Sequence, residues 1–423
     1  MLRLLMACVL AACCAAAAHA DNWPAWRGST GQGHSDEKNV PLKWGGKDQA
    51  NVKWKVPLKD AGNSTPVVWG DNVFLTQATK GGGVRSLICF ARADGKVRWQ
   101  KDVEYADKET SYNPTWYANA SLATDGERVV VSYGSAGLYC YDFEGKELWT
   151  RTDLGKWEHT FGNSASPVLH GDLVIQWCGP DDTRKGRNYL LAVEKKTGKT
   201  VWEHDESFGS WSTPVVAKVG DKEQLVLGQS RDAKGQPENK TGFLKGFDPK
   251  TGKELWKCQG LDSFVYTSAL VDNGVAVSMS GYGGSALAVK LGGTGDITKD
   301  RLWLHPKPAG QRVGSGVVVG EYVYMVDENG TPHCYELKTG NDLWKDEAKL
   351  KSLTWGSLVH ADGRLYLLLR NGDTAVLAAN PKYELLATNS LGAGENTNSS
   401  VAISNSQVFI RTFKHLWCIG EKK

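Results

Sequence analysis

The sequence lacks several features that mark common functional classes. It has no block of lysine or arginine, and a net charge of +3 over 423 residues gives no electrostatic footprint for nucleic acid. Beyond the first 20 residues, no apolar run is long enough to span a membrane. Histidines occur singly, without H-x-x-x-H or C-x-x-C spacing, which indicates no metal site. G-x-S-x-G and phosphate-binding glycine loops are also missing.

The first 20 residues have the composition of an export signal. Arg3 precedes an apolar run, and an A-x-A cleavage site precedes Asp21, which predicts a signal peptide at 1–20 and a periplasmic or extracellular protein. An alternative stays open, because the Leu-Ala-Ala-Cys segment ending at Cys13 is similar to a lipoprotein box. Lipidation of Cys13 would then anchor the protein to a membrane.

A hairpin unit recurs along the rest of the chain. Its clearest copy, TGFLKGFDPKTGKELWKC at 241–258, has a short apolar strand, a turn built on Asp248 and Gly252, and a second strand with Trp256. Gly252 supplies the positive φ that the turn needs, and Asp248 can bond the turn amides. Further copies end at Trp99, Trp149, Trp202, Trp303 and Trp344, a copy without tryptophan ends at Leu386, and a lone strand carries Trp54.

A second segment precedes each hairpin. It begins with Ser or Thr and continues as two β-branched-rich runs around a Gly, Asp or Asn turn, so each repeat contains four strands. The starting residues are Thr65, Ser121, Ser166, Thr213, Ser268, Ser315, Ser357 and Ser400.

The cysteines outside the signal fit the same register. Aligning the repeats places Cys89, Cys140, Cys334 and Cys418 in one column with Ala192, Gly246, Ala288 and Ala378. Cysteine at a position otherwise held by small residues behaves as a small apolar core residue. Equivalent positions of neighbouring sheets lie about 10 Å apart, beyond the reach of a disulfide. We therefore predict no disulfides among these four.

The repeat length predicts the architecture. Residues 52–423 divide into eight units of about 46 residues, typical of four-stranded propeller blades. The last unit ends after three strands, and the orphan strand around Trp54 can supply the fourth, closing the ring and removing the free sheet edges. An open β-sandwich, or several small β domains, would not explain that orphan strand. We predict an all-β, eight-bladed β-propeller at 52–423, preceded by an N-terminal extension at 21–51.

The repeat resembles a known family. The turn and tryptophan of 246–256 and 192–202 are similar to the tryptophan-docking motif of the quinoprotein alcohol dehydrogenases and their non-enzymatic relatives, the PQQ-like propeller repeats. The segment NWPAWRGSTGQGHS, with Trp23 and Trp26, looks like the start of secreted bacterial members. The resemblance covers nearly all of the mature chain and implies the propeller fold, whereas a fold of this kind hosts several functions.

The resemblance also implies a cofactor chemistry that the residues do not reproduce. Quinoprotein enzymes hold pyrroloquinoline quinone on the ring axis between a tryptophan and a disulfide of adjacent cysteines, with calcium on Glu and Asn. Here the only adjacent cysteines, Cys13 and Cys14, lie in the signal, and no D-x-D-x-D-G calcium loop is present. We therefore predict no cofactor and no metal, although quinone and calcium stay possible.

Propeller geometry predicts where a ligand would bind. The first strand of each blade lines the central channel, and the loop leading into it opens on one face. Aromatic and amide side chains there could stack on and hydrogen-bond a planar or sugar-like ligand, or they could simply plug the channel. The candidates, two residues before each Ser/Thr position, are Asn63, Asn119, Ser164, Trp211, Tyr266, Val313, Trp355 and Asn398, with Tyr117, His159 and Arg312 as weaker ones.

Three functions follow as expectations. The favoured one is an exported, non-enzymatic binding or scaffold propeller that presents a rigid ring to a protein or saccharide partner. The second, implied by resemblance, is an outer-membrane assembly factor of the BamB type, and the third is a quinoprotein oxidoreductase. The polar insertion at 229–240 is a possible partner contact.

Overall fold

The structure is a computed structural model that describes residues 22–107, 109, 117–181, 186–207, 209–230, 241–281, 284–306, 310–344 and 349–421. The predicted signal peptide, Cys13 and most of the 229–240 insertion lie outside these residues. Across the described ranges, helical structure is limited to the 3₁₀ turns Lys80–Gly82, Gly134–Ala136 and Thr298–Asp300, and no helix reaches the length and apolar character of a membrane span.

The strands form eight sheets arranged as the blades of a propeller, which confirms the predicted fold class. Two strands precede the first blade, β1 (His34–Ser35) and β2 (Val52–Pro57). Blades 1 to 4 contain β3 (Val67–Trp69), β4 (Asn72–Thr79), β5 (Val84–Ala91) and β6 (Val97–Glu104); β7 (Ala123–Thr124), β8 (Arg128–Ser132), β9 (Leu138–Asp142) and β10 (Glu147–Arg151); β11 (Val168–His170), β12 (Leu173–Cys178), β13 (Asn188–Glu194) and β14 (Thr200–Glu206); β15 (Val215–Val219), β16 (Lys222–Gln229), β17 (Gly242–Phe247) and β18 (Glu254–Leu261).

Blades 5 to 8 continue the same antiparallel order. They contain β19 (Leu270–Asp272), β20 (Val275–Met279), β21 (Ala286–Lys290), β22 (Gly295–Asp296) and β23 (Arg301–His305); β24 (Val317–Val319), β25 (Tyr322–Val326) and β26 (Pro332–Glu336); β27 (Val359–Ala361), β28 (Arg364–Leu368), β29 (Thr374–Ala378) and β30 (Leu385–Asn389); β31 (Ala402–Ser404), β32 (Gln407–Arg411) and β33 (His415–Ile419). In blade 5, β22 leaves its own sheet and pairs in parallel with β18 of blade 4. In blade 6, Leu343 continues the ladder by donating its N–H to Cys334 O at 2.7 Å.

The ring closes as predicted. Strand β2 pairs antiparallel with β33, with Trp54 opposite Cys418 and Pro57 opposite His415. Blade 8 is therefore completed by the N-terminal strand, and the free edge that β33 would otherwise present is covered.

Tryptophans dock six of the eight blades onto the next one. Trp202 of blade 3 lies on the turn of blade 4, where a Cβ atom on Gly252 would sit 2.5 Å from the indole ring. Six indole N–H groups donate to backbone carbonyls of the following blade: Trp54 to Arg92, Trp99 to Phe143, Trp149 to Lys195, Trp202 to Pro249, Trp303 to Leu337 and Trp344 to Pro381, at 2.8–3.1 Å. The tryptophan column is thus structural, as the sequence predicted.

The register in blade 7 corrects two positions of the repeat alignment. A β-bulge precedes the docking position in the fourth strands of blades 1–5, 7 and 8, and the register of blade 7 places Ala387 opposite Val376. Ala387 therefore replaces the lost tryptophan, and Val376 occupies the small-residue column, where the sequence pattern had pointed to Leu386 and Ala378. The turn of blade 7 is one residue longer than that of blade 4, since Leu385 pairs with Leu377 whereas Glu254 pairs with Phe247. A sequence alignment without a tryptophan marker cannot locate this extra residue.

The six described cysteines are buried and free. Cys89, Cys140 and Cys418 each lie opposite the docking tryptophan of their sheet, as small core residues do in the other blades. Burial raises the pKa of each thiol, to about 12 for Cys89, which keeps it protonated and unreactive. The prediction that these residues serve packing is confirmed.

Candidate functional site

The hub of the propeller is held by a closed ring of hydrogen bonds. Each predicted Ser/Thr position lies two residues before the innermost strand of its blade, and its backbone N–H donates to the hydroxyl of the next blade. The eight bonds are Thr65 to Ser121 (2.8 Å), Ser121 to Ser166 (3.0 Å), Ser166 to Thr213 (2.9 Å), Thr213 to Ser268 (3.1 Å), Ser268 to Ser315 (3.0 Å), Ser315 to Ser357 (2.9 Å), Ser357 to Ser400 (2.8 Å) and Ser400 to Thr65 (3.3 Å). Because the ring closes on itself, it fixes all eight inner strands around one axis.

A cavity of about 460 Å³ lies on this axis, within the size range of small-molecule sites. Its wall includes five members of the hydroxyl ring and all eight positions predicted from the loops that lead into the inner strands. Those eight are Asn63, Asn119, Ser164, Trp211, Tyr266, Val313, Trp355 and Asn398. A residue two positions before the ring projects to the same side of the chain as the ring residue, which explains why a simple offset located them. We call this cavity the axial pocket.

One arc of the axial pocket is built from amides. Asn398 Nδ2 donates to Asn63 Oδ1 at 3.3 Å, Asn63 Nδ2 donates to Asn119 Oδ1 at 2.8 Å, and Asn119 Nδ2 donates to the backbone oxygen of Asn163 at 3.4 Å. These residues come from blades 8, 1 and 2 and pass into blade 3, where Ser164 extends the polar wall. The chain of amides fixes the orientation of each side chain around this half of the pocket.

The opposite arc is aromatic. Trp211 and Tyr266 lie edge to face with ring centroids 5.2 Å apart, and Phe161 approaches Tyr266 at 6.5 Å. Phe264 stacks on Tyr266 at 6.1 Å, and Trp211 Nε1 donates to Gly162 O at 2.9 Å. These contacts hold broad apolar faces rigidly against the cavity. Sequence reasoning missed Phe161 and Phe264 because they lie outside the repeated columns.

Trp355 closes the gap between the two arcs. The Arg370 guanidinium lies 4.7 Å from its ring centroid, a cation–π contact that pins the indole. Glu328 lines the pocket beside it, and burial raises the pKa of this carboxyl group. Glu328 is the single acidic side chain among the described lining residues, and none of them is lysine or arginine.

The N-terminal extension also contributes to the pocket. Trp26 lines the cavity, although it belongs to no blade. The segment around it crosses the hub: Trp23 pairs with Val68 of blade 1, and β1 pairs with β27 of blade 7. Arg27 is fully buried and donates to the backbone oxygens of Ser315 and Gly316 in blade 6. The two tryptophans of this segment marked it in the sequence, but the segment contains no repeat from which its position in the fold could be predicted.

The weaker candidates lie behind the wall and do not line the axial pocket. His159 packs edge-on against Trp211 at 4.5 Å. Arg312 is fully buried and donates to Gly284 O at 2.8 Å and Tyr335 Oη at 3.1 Å. Tyr117 stacks under the Arg85 guanidinium at 4.4 Å and borders a separate cavity.

A possible cation cluster lies elsewhere. His204 and Glu206 of blade 3 and Glu254 of blade 4 bring their ligand atoms together, the one such group in the described part of the chain. Lys245 Nζ already occupies it, at 2.8 Å from Glu206 and 3.0 Å from Glu254. The cluster is therefore satisfied internally as an ion-pair network.

Comparison with known proteins gives a family match and partial sequence relatives. The model of a family described as outer membrane protein assembly factor BamB matches residues 84–346. A 70-residue segment is 44% identical to quinoprotein alcohol dehydrogenase PedE of Pseudomonas putida and 40% identical to a quinoprotein ethanol dehydrogenase of Pseudomonas aeruginosa. That segment covers 16% of this chain and only 9% of either relative.

Solved structures share the fold. BamB from Moraxella catarrhalis superposes with a TM-score of 0.59 at 13% identity, over 87% of this chain and 96% of that one. Quinohemoprotein alcohol dehydrogenase from Comamonas testosteroni gives a TM-score of 0.67 at 12% identity, over 95% and 81%. At these identities the likeness concerns the fold alone.

Proposed function

Since this chain belongs to the BamB family of PQQ-like β-propellers, we propose that it is an exported, non-enzymatic binding protein whose axial pocket holds a neutral saccharide. The observation that carries the proposal is the division of the pocket into an amide arc and an aromatic arc. Aromatic faces stack on the C–H surface of a sugar ring, while amides donate to and accept from its hydroxyls. A pocket of about 460 Å³ can hold a small oligosaccharide.

The charge of the lining supports a neutral ligand. One carboxyl group and no lysine or arginine face the cavity within the described residues. An anionic ligand would meet no cation there, and its desolvation would be poorly compensated. The amide chain, by contrast, offers donors and acceptors in fixed positions, which is the arrangement that hydroxyl recognition requires.

The same lining does not fit the cofactor that the quinoprotein resemblance implies. Pyrroloquinoline quinone carries carboxylates, which the described lining does not complement with a cationic group. The one acid and histidine cluster, at 204, 206 and 254, lies outside the pocket and binds Lys245. We therefore derive no redox step for this chain.

Titration of the purified protein with neutral oligosaccharides of glucose, galactose, mannose and N-acetylglucosamine tests the proposal. We expect saturable quenching of tryptophan fluorescence by at least one series, with calorimetry confirming the affinity. Trp355→Ala should weaken binding about threefold to tenfold through loss of stacking, and Asn63→Ala should weaken it by a similar factor through loss of a hydrogen bond.

The matched control is Trp69→Ala. Trp69 is half-buried like Trp355 but lies on Gly126 of blade 2, away from the pocket, so its removal should leave affinity unchanged. Absence of binding to every series would overturn the saccharide proposal. Dye-linked alcohol oxidation after addition of pyrroloquinoline quinone and calcium would replace it with the quinoprotein function.

The family description favours one second function, participation in outer-membrane protein assembly. In that case the ring surface would bind a protein partner, and the pocket would serve packing. Expression of the chain in a bacterium that lacks its own BamB tests this function, because restored levels of outer-membrane proteins would support it. Full restoration by the Trp355→Ala variant as well would show that assembly does not use the pocket.

A further inference from the structure

A second, smaller cavity lies behind the amide arc, between blades 2 and 3. Its volume is about 30 Å³, more than the ~10–15 Å³ that a cavity needs to hold a water molecule. Tyr133, Asn163, Gln176 and Trp177 line it, together with the Arg85–Glu109 ion pair. Asn119 borders both this cavity and the axial pocket. We call it the inter-blade cavity.

Several residues that line the inter-blade cavity carry polar atoms without partners. Gln176 is 4% exposed and Trp177 1% exposed, yet Gln176 Oε1 and Trp177 Nε1 have no hydrogen-bond partner among the described residues. The same holds for Tyr133 Oη and Asn163 Oδ1, and for Arg85 Nε and Glu109 Oε1 of the ion pair. Gln176 uses only its Nε2, which donates to Ala165 O and Trp177 O, so its oxygen is left over at a fixed position.

Such a group of orphaned atoms is unfavourable unless something fills the space. Each buried polar atom left without a partner costs about 1–3 kcal/mol, and native proteins rarely accumulate several at one place. A bound molecule that bonds several of these atoms at once removes the cost.

The chemistry of the atoms defines that molecule. Trp177 Nε1 can only donate, the oxygens of Asn163 and Gln176 can only accept, and the Tyr133 hydroxyl can do both. Burial raises the pKa of Tyr133 well above its ordinary value, so the hydroxyl keeps its proton. Arg85 Nε adds a second donor, and Glu109 Oε1 adds a third acceptor oxygen. A cation would therefore face two donors, and an anion would face three acceptor oxygens, so a neutral molecule that both donates and accepts is the match.

We propose that the inter-blade cavity is a binding site for a single structural water molecule that bridges blades 2 and 3. The water donates to Asn163 Oδ1 and Gln176 Oε1 and accepts from Trp177 Nε1, with the Tyr133 hydroxyl as a fourth partner. By fixing Asn163, whose backbone oxygen accepts from Asn119 Nδ2, it also positions the end of the amide arc. The proposal does not depend on the saccharide function.

Crystals of the full exported protein test the site directly. We expect one ordered density peak within hydrogen-bond distance of at least three of the four named atoms. Crystals soaked in rubidium or bromide and crystals pressurised with xenon should show no anomalous signal there. Rubidium or bromide at the site would overturn the proposal in favour of an ion, and xenon, or an absence of density, would show a dry cavity.

Tyr133→Phe gives a second test in solution, because only a bound water predicts a fall in the melting temperature. If water is bound, loss of the hydroxyl removes one of its hydrogen bonds, and the melting temperature should fall by about 1–2 °C. If the cavity is empty, the variant merely removes an orphaned hydroxyl, and the melting temperature should stay or rise. Ser278→Ala is the control, since Ser278 Oγ is orphaned among the described residues but lines neither cavity; its melting temperature should not fall.

Discussion

The regular blade interfaces and the seam between blades 7 and 8 are packed by different residues. At a regular interface, the tryptophan of one blade docks on the turn between the third and fourth strands of the next blade, as Trp344 does on blade 7. Blade 8 has no such turn, because its fourth strand, β2, comes from the N-terminal side of the chain. A docking tryptophan in blade 7 would have nothing to bind, and Ala387 stands there instead.

The N-terminal extension supplies what the seam lacks. Trp44 is buried in the same core cluster as Val40 and Trp417, with Ala387 packed against it. The backbone N–H of Trp44 donates to Asn389 Oδ1 of blade 7 at 3.0 Å, and its ring stacks on Tyr366 with centroids 6.3 Å apart. At the seam where the ring closes, the contact that a docking tryptophan makes elsewhere is therefore made by Trp44, a residue outside the repeats.

The interface between blades 4 and 5 is an intermediate case. Blade 5 replaces the usual turn with a longer connection that contains β22, which pairs with β18 beside Trp256. Trp256 Nε1 therefore donates within its own blade, to Gln224 Oε1 at 2.6 Å. Both exceptions to tryptophan docking, in blades 4 and 7, thus occur where the next blade lacks the usual turn between its third and fourth strands.

The largest expected effect tests whether Trp44 replaces the docking tryptophan. Trp44→Ala and Trp344→Ala should each lower the free energy of unfolding by about 3–5 kcal/mol, because each leaves a large cavity in a buried interface. Urea unfolding followed by circular dichroism measures both. A cost below about 1 kcal/mol for Trp44→Ala, with the full cost for Trp344→Ala, would show that the seam is held by other contacts.

The next effect concerns the inner ring, which has no seam. Its eight bonds run without interruption through blades 7, 8 and 1, in contrast to the tryptophan column. Ser357→Ala removes the acceptor of the Ser315 N–H and should cost about 1–3 kcal/mol, since that donor is left buried and unpaired. Ser357→Thr keeps the hydroxyl, as Thr65 and Thr213 do, and should cost much less.

Urea unfolding of the two Ser357 variants gives the measurement. Equal stability of the alanine and threonine variants would mean that the ring bonds contribute nothing net. A loss of stability in the alanine variant alone would show that the hub requires the hydroxyl at this position in every blade. The outer blade interfaces, by contrast, tolerate loss of the tryptophan where another segment of the chain covers the gap.

Most of the fold could be predicted because the repeat carries it. Thr65 and its seven counterparts fixed both the blade count and, by an offset of two, the wall of the axial pocket. Leu386 was misassigned for a local reason: the turn of blade 7 is one residue longer than that of blade 4, and only the strand register reveals it. Without a tryptophan, nothing in the sequence of blade 7 marks the docking position.

The rest could not be predicted because it depends on contacts between distant, unrepeated segments. Trp26 reaches the pocket through the path of the extension, and His34 meets His360 across 326 residues. Phe161 and Phe264 lie in loops of differing length, so no column marks them. Sequence periodicity identifies what every blade shares, and the distinguishing features of this pocket come from what only one blade, or none, contains.

The smallest expected effect concerns the pH dependence of the extension at blade 7. His34 Nδ1 and His360 Nδ1 lie 3.2 Å apart where β1 pairs with β27. Burial and the neighbouring His34 lower the pKa of His360 to about 4, and burial and Arg27 lower the pKa of His34. Lys38 acts in the same direction, and Asp36 and Asp272 oppose it.

The sign of the effect follows from these lowered pKa values. The folded state favours neutral imidazoles. The contribution of the two histidines to folding stability is therefore complete above pH 6.5, the pKa of histidine in the unfolded chain, and is lost as the pH falls from there toward about 4. Because both rings are only partly buried, solvent screening reduces the loss to on the order of 1 kcal/mol. Amide hydrogen exchange of residues 33–35 should therefore accelerate between pH 7 and pH 5 relative to the intrinsic rate. Exchange in β33 should not, and a His34→Asn/His360→Asn variant should lose the difference; an unchanged pH response in that variant would assign it to the carboxylates.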